Sequence, residues 1–276
     1  MSMQQELVKA ASSYVEERMK EKPEIGLILG SGLGDLAEEI EEATVIPYHE
    51  IPHFPQSTVE GHAGRLVLGQ LSGKKVVAMQ GRFHYYEGYD LREVVLPVYM
   101  MKALGVKVLI ATNAAGGMNP NFAPGDLMLI TDHLNMTGVN PLIGPNDDRL
   151  GPRFPDMSAA YDRELITLAE QVGEKLGITP QKGVYAGISG PTYMTSAELK
   201  MLRKLGGDAV GMSTVPEVIA ARHTGLRVLG ISCITDMATG EEQEPLTHEQ
   251  VVAVADQTKP RFIQLVKAIV SEVKLT

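Results

Sequence analysis

Short apolar runs alternate with helical patterns from one end of this chain to the other, and that alternation limits what it can fold into. Ile25-Gly26-Leu27-Ile28-Leu29, Lys107-Val108-Leu109-Ile110-Ala111, Leu127-Met128-Leu129-Ile130, residues 183–188 and residues 226–234 read as strands. Runs with few polar interruptions suit strands buried on both faces, as in a sheet covered by helices. Between them lie helix signatures. Leu7, Val8, Ala11, Tyr14 and Val15 mark one face of an N-terminal helix that ends before Pro23. Asp90/Glu93, Thr195/Glu198, Thr214/Glu217 and Thr247/Gln250 have capping-box spacing, in which a side chain at each position accepts from the other's backbone N–H. A further helix is expected over 162–176. Leu66–Gly69 and Lys75–Met79 form a strand pair turning at Ser72-Gly73. A Glu-rich helical pattern follows Gly34, residues 44–64 read as a long loop with Pro47, Pro52 and Pro55, and residues 134–158 form the longest irregular stretch. The expected fold is α/β: a single domain over residues 1–276, with a central mixed, mostly parallel twisted sheet flanked by helices in three layers.

In such sheets ligands sit where the carboxyl ends of strands meet loops. Ser31, Arg82, His84, Asn113, Ser213 and Asp236 all follow predicted strands. Composition narrows the ligand. Acidic residues number 34 against 25 basic ones, a net charge of −9, and no basic run stands out, which argues against general nucleic-acid binding. An anion would need a local pocket of donors. The single cysteine, Cys233, lies in an apolar run and reads as a small buried hydrophobe in a chain suited to a reducing compartment. The first twenty residues lack an apolar h-region and no segment reaches the roughly 18 apolar residues of a membrane span, so a cytoplasmic protein is expected. There is no H-E-x-x-H and no cysteine pair for a metal, and no G-x-S-x-G for a serine hydrolase.

Two stretches suit anion chemistry. Gly30-Ser31-Gly32-Leu33-Gly34 follows a strand, but position 35 is Asp35, so the G-x-G-x-x-G dinucleotide pattern is incomplete. Its N–H groups and the Ser31 hydroxyl suit a phosphate; a plain tight turn fits the same residues. Gly211-Met212-Ser213-Thr214-Val215-Pro216-Glu217 runs from a strand into a helix N-terminus, where free N–H groups and the positive dipole end favour an anion or a sugar hydroxyl. An ordinary strand-to-helix turn is the plainer reading. Arg82 and His84 lie two apart in a loop with Tyr86; Arg brings a planar fork of donors, and Glu87 is placed to orient the histidine. His62 stands in the glycine loop 61–64.

Taken in order, Gly30-Ser31-Gly32-Leu33-Gly34, Gly81-Arg82-Phe83-His84, Asn113-Ala114-Ala115-Gly116-Gly117, Arg153-Phe154-Pro155-Asp156-Met157-Ser158 and Gly211–Glu217 resemble the trimeric purine nucleoside phosphorylases from about residue 24 to the C-terminal helix. The resemblance implies phosphorolysis of a purine nucleoside, or its 2′-deoxy form, to free base and pentose 1-phosphate. It implies a homotrimer with a site at each subunit interface and no metal or organic cofactor; inorganic phosphate is the co-substrate. By the same resemblance Ser31, His62, Arg82, His84, the Ala114 backbone and Ser213 hold phosphate. Tyr86, Met212, His248 and the neighbouring subunit's Phe154 address the ribose, while Tyr193, Met194 and Asp236 address the base. Arg82, His84 and Asp236 are the residues expected to carry catalysis.

The chain departs from that family at two places. Where the family has a Glu after the stacking aromatic, this chain has Met194, and where the family has an Asn, it has Asp236. Met194 cannot accept from N1–H or a 2-amino group, an unmet bond costing about 1–3 kcal/mol for each buried donor. An ionised Asp236 accepts from a 6-amino group and repels a 6-oxo group. A preference shifted toward 6-aminopurines, adenosine first, is therefore expected. An ordinary inosine or guanosine phosphorylase is the alternative, as is a methylthioadenosine phosphorylase, although His248 favours a free 5′-hydroxyl. Outside this class stand a nucleoside hydrolase and a non-catalytic purine-binding protein.

Overall fold

The computed structural model describes residues 2–59, 61–241 and 247–275. Its strands are β1 (Ile25–Leu29), β2 (Glu41–Pro47), β3 (Arg65–Leu71), β4 (Lys74–Gln80), β5 (Val108–Gly117), β6 (Leu127–Asn135), β7 (Gln181–Gly187), β8 (Ala209–Gly211) and β9 (Arg227–Met237). Its α-helices are α1 (Met3–Glu16), α2 (Leu91–Leu104), α3 (Arg163–Lys175), α4 (Ser196–Lys204), α5 (Val215–His223) and α6 (His248–Glu272). The strands form one sheet in the order β2-β3-β4-β1-β5-β8-β7-β6-β9. β5 also pairs with β9, so β5, β8, β7, β6 and β9 close into a ring. Parallel pairings join β1 to β4 and β5, β5 to β9, β6 to β7 and β7 to β8. Those of β2 with β3, β3 with β4, β5 with β8 and β6 with β9 are antiparallel. The mixed sheet and single domain match the expectation, with parallel pairings only just in the majority.

The apolar runs behave as their composition dictates. All five residues of β1 are buried, as are Val108 to Ala111 of β5 and Val228 to Ile234 of β9. The capping boxes at Asp90, Thr195 and Thr247 form. In α1 the Ser2 hydroxyl accepts from the Gln5 N–H, and Val8, Ala11 and Val15 turn inward.

Three expectations need correction. Part of the loop expected over 44–64 is strand: β2 pairs antiparallel with β3 through Thr44, Val45 and Ile46, whose β-branched side chains favour extended backbone over the prolines' signal. The pattern after Gly34 is a 3₁₀ segment, Gly34–Glu39, rather than an α-helix. Finally, Thr214 and Glu217 do not form a capping box. Thr214 has φ +69° and its side chain caps nothing in α5, because both residues are engaged elsewhere in the site.

Candidate active site

The topology brings the polar motifs to one edge. β1, β4, β5 and β9 are linked by parallel pairings, so the residues following each emerge at the same end. Ser31 comes from β1, Arg82 and His84 from β4, Ala114 from the distal part of β5 and Asp236 from the end of β9. β8 runs antiparallel to β5, with Val210 opposite Gly116, so the chain that leaves it at Met212 and Ser213 runs back in the direction of Ala114 and lines the same cavity. These residues line one cavity of about 1000 Å³ with Tyr86, Tyr193, Met194 and His248. Phe154 lines no part of it and is 87% exposed.

At one end of this cavity the side chains are held by a dense polar network. Arg82 is 1% exposed. Its Nε and Nη2 donate to the two carboxylate oxygens of Glu217 at 3.0 and 2.8 Å, and Nη1 donates to the Thr112 carbonyl. His84, 7% exposed, bonds through Nδ1 to Glu87 at 3.0 Å, and its backbone N–H donates to the same oxygen at 2.7 Å. The other Glu87 oxygen accepts from the Thr58 N–H and hydroxyl, each at 2.7 Å. Glu87 thus orients His84, as its spacing suggested, and ties that histidine to the loop that carries His62. His62 bonds through Nε2 with the Ser31 hydroxyl at 3.2 Å and through Nδ1 with that of Ser57 at 3.1 Å. Its ring stacks on that of His84, which stacks on Tyr86. Gly81, with φ +104°, is needed here because a Cβ would meet the His62 Cβ at 2.7 Å.

Ser213 and Thr214 complete this end. The Thr214 Oγ1 accepts from Asn113 Nδ2 at 2.9 Å and lies 3.1 Å from the Ser213 hydroxyl, while the Ser213 N–H donates to Tyr185. A left-handed backbone at a β-branched residue is strained. Here these bonds hold it, and the turn leaves Ser213, just before α5, in the lining of the cavity. Glu217, whose sequence position suggested a cap, turns to Arg82 instead.

Protonation follows from the same contacts. Burial pushes the His62 imidazole down to about 4, with His84 and Arg82 nearby adding to the effect. Burial lowers His84 too, with Glu87 opposing. Burial alone would raise Glu87, but its bonds from His84 and Thr58 outweigh that and bring it to about 2. Tyr86 is pushed up to about 12, mainly by burial and then by Glu87. At neutral pH the two histidines are therefore neutral donors or acceptors, and Arg82 carries the only formal positive charge among these groups.

The other end of the cavity is different in kind. Ile188, Met194, Leu199, Val210 and Ala238 line it. Leu199, Val210 and Ala238 belong to a small hydrophobic cluster separate from the main core, and Met194 and Ile188 pack against it. Asp236 is the acidic group at this end: its Oδ1 accepts from the Thr235 hydroxyl at 2.8 Å, and its Oδ2 lies 3.1 Å from where a Cβ on Gly116 would stand. Tyr193 is half exposed at the rim. Cys233 is buried, with its thiol pushed up to about 11 by burial. Sequence reasoning missed the Glu217–Arg82 pair, Thr58 and Ser57. Spacing carries no signal for a pair 135 residues apart.

Residues 24–271 match the model of the phosphorylase superfamily. The purine nucleoside phosphorylase 1 of Geobacillus stearothermophilus is 59% identical over 268 residues, covering 97% of this chain and 98% of that protein. Isoform 2 of the Schistosoma mansoni purine nucleoside phosphorylase, solved with cytosine and ribose-1-phosphate, superposes with a TM-score of 0.94 at 48% identity over 98% of each chain. Another Schistosoma mansoni purine nucleoside phosphorylase, solved with adenosine, gives 0.93 at 44% identity, again over 98% of each chain.

Proposed function

The chain belongs to the phosphorylase superfamily and within it to the purine nucleoside phosphorylases, and from that premise we propose that its base preference is shifted toward 6-aminopurine nucleosides, adenosine first. The observation that carries this is the make-up of the cavity's apolar end, where Asp236 stands against a wall formed by Met194, Leu199, Val210 and Ala238. An ionised carboxylate accepts from an exocyclic amino group and repels a carbonyl oxygen. A thioether offers the N1–H and 2-amino donors of guanine nothing comparable. Schistosoma purine nucleoside phosphorylases of this fold have been solved with adenosine and also with inosine and guanosine, so the preference rests on the residues of this chain's own cavity.

The reaction is pentosyl transfer. Phosphate oxygen bonds to C1′ on one face as the C1′–N9 bond breaks on the other, and the base leaves with the bonding pair and takes up a proton. In our reading phosphate sits among Ser31, His62, Arg82, His84, the Ala114 N–H and Ser213, at the end of the cavity where the donors converge. Tyr86, Met212 and His248 face the pentose, Phe154 closes the same pocket of a neighbouring copy in a homotrimer, and Tyr193 packs on the purine. No metal or organic cofactor takes part; positioning and fixed donors supply the catalysis. As C1′ becomes cationic, the bound phosphate stabilises it, and Arg82 and the helix N-terminus keep that anion in place. Asp236 accepts from the amino group of the base and so holds the base in place as the C1′–N9 bond lengthens. A cytoplasmic location fits this use of free nucleosides and phosphate.

The test is steady-state phosphorolysis of adenosine, inosine and guanosine, with and without phosphate. Phosphate-dependent release of adenine at the highest kcat/KM is expected. A clear preference for inosine or guanosine overturns the base-site reading, and release without phosphate overturns the anion-site reading.

A further inference from the structure

We propose that Glu217 is a positioning residue for phosphate: it fixes the plane of the Arg82 guanidinium so that the two N–H bonds it leaves over face the anion. This rests on the reading of Arg82 as a phosphate donor. A guanidinium has five N–H bonds. Glu217 takes two of them in a side-on fork through Nε and Nη2, and the Thr112 carbonyl takes a third through Nη1. One N–H each on Nη1 and Nη2 remains, and Arg82 lines the cavity.

The carboxylate is held as firmly as the guanidinium. Glu217 is 3% exposed and lies in the first turn of α5, a helix whose residues from Val215 to Ala221 are all buried. Its local alternative, reaching back to the Thr214 N–H, is forgone. The same helix opens at Thr214, next to Ser213, so one rigid element sets both the place of Ser213 in the cavity lining and the carboxylate that aims Arg82. A buried ion pair gives little stability against a well-packed apolar pair, which leaves orientation as the reason to build one beside a ligand pocket. Glu217 does not itself line the active-site cavity; it acts on it through the Arg82 guanidinium.

Glu217→Asp keeps the charge and shortens the reach, so it separates aim from field. A rise in the phosphate KM of about tenfold is expected, the loss of one charge-assisted bond, with the nucleoside KM held within about twofold. Calorimetry with inorganic phosphate alone shows the same weakening. In a double-mutant cycle, R82K/E217D binds phosphate no worse than R82K by itself, because the aspartate has no fork left to aim. An unchanged phosphate KM in folded E217D, or equal rises in both KM values, overturns the inference. If E217D does not fold, E217Q keeps the length of the side chain, and the same split with a smaller rise is required of it. Should R82K itself leave the phosphate KM unchanged, the reading of Arg82 falls first and this inference with it; a rise in R82K but none in the Glu217 variants refutes the inference alone.

Discussion

The two ends of the active-site cavity are built on opposite principles. At the anion end, Arg82, His84 and Glu217 are almost wholly buried and every one is tied to named partners. At the other end, the wall belongs to a small hydrophobic cluster, Tyr193 is half exposed, and Asp236 is the acidic side chain. The difference teaches where the protein can change. A network in which each group orients the next fails as a unit when one member is removed. An apolar wall with one polar anchor can be re-cut by exchanging that anchor, because only the anchor and its own partners, Thr235 among them, have bonds to lose.

The largest effect that would sharpen this contrast is expected at Arg82. Arg82→Met leaves the Glu217 carboxylate buried without its counter-charge, at a cost of about 3–5 kcal/mol in stability, and drops phosphate-dependent kcat/KM by on the order of a thousandfold. Urea denaturation and initial rates check both, and a loss confined to activity would break the claim that folding and binding share this pair. Next comes the base end. Asp236→Asn restores a donor for a 6-oxo group, so the adenosine-to-inosine ratio of kcat/KM should fall by about tenfold while the midpoint of unfolding stays in place. A large loss of stability there would erase the distinction between the two ends.

A smaller effect comes from pH. The folded His62 resists protonation down to about 4, whereas the unfolded chain takes up that proton near the ordinary value of about 6.5. The unfolded state then binds more protons as pH falls through this window, so stability decreases between them and is complete above it. His62→Asn, compared with the parent at pH 7 and pH 5, should lose less stability over that interval; an equal loss would remove His62 from the account. The smallest effect belongs to the rim: Tyr193→Phe should change kcat/KM by no more than about twofold, since a half-exposed ring acts through its face.

Much of this molecule was legible in the residues. The runs at Ile25–Leu29, Val108–Ala111 and Leu226–Ile234 showed strands buried on both faces, and three of the four capping boxes formed where spacing put them. His84 and Glu87, three residues apart, proved to be bonded. The failures share a cause. β2 lay hidden under prolines because its strand character depends on pairing with β3 across a long intervening segment, with Thr44 opposite Leu68. The Thr214/Glu217 box failed because Asn113 and Arg82, each more than a hundred residues distant, compete for those side chains and win.

What the sequence by itself determined is what local rules determine: strand and helix positions, the one-domain α/β class, and the residue types gathered after the strands. What only the tertiary structure decided is which of those residues meet. The closure of β5, β8, β7, β6 and β9 into a ring, the return of β8 along Gly117 and Gly116, and the pairing of Glu217 with Arg82 are long-range events. A buried charge takes whatever partner the fold brings to it, since leaving it unpaired costs more than any helix cap provides.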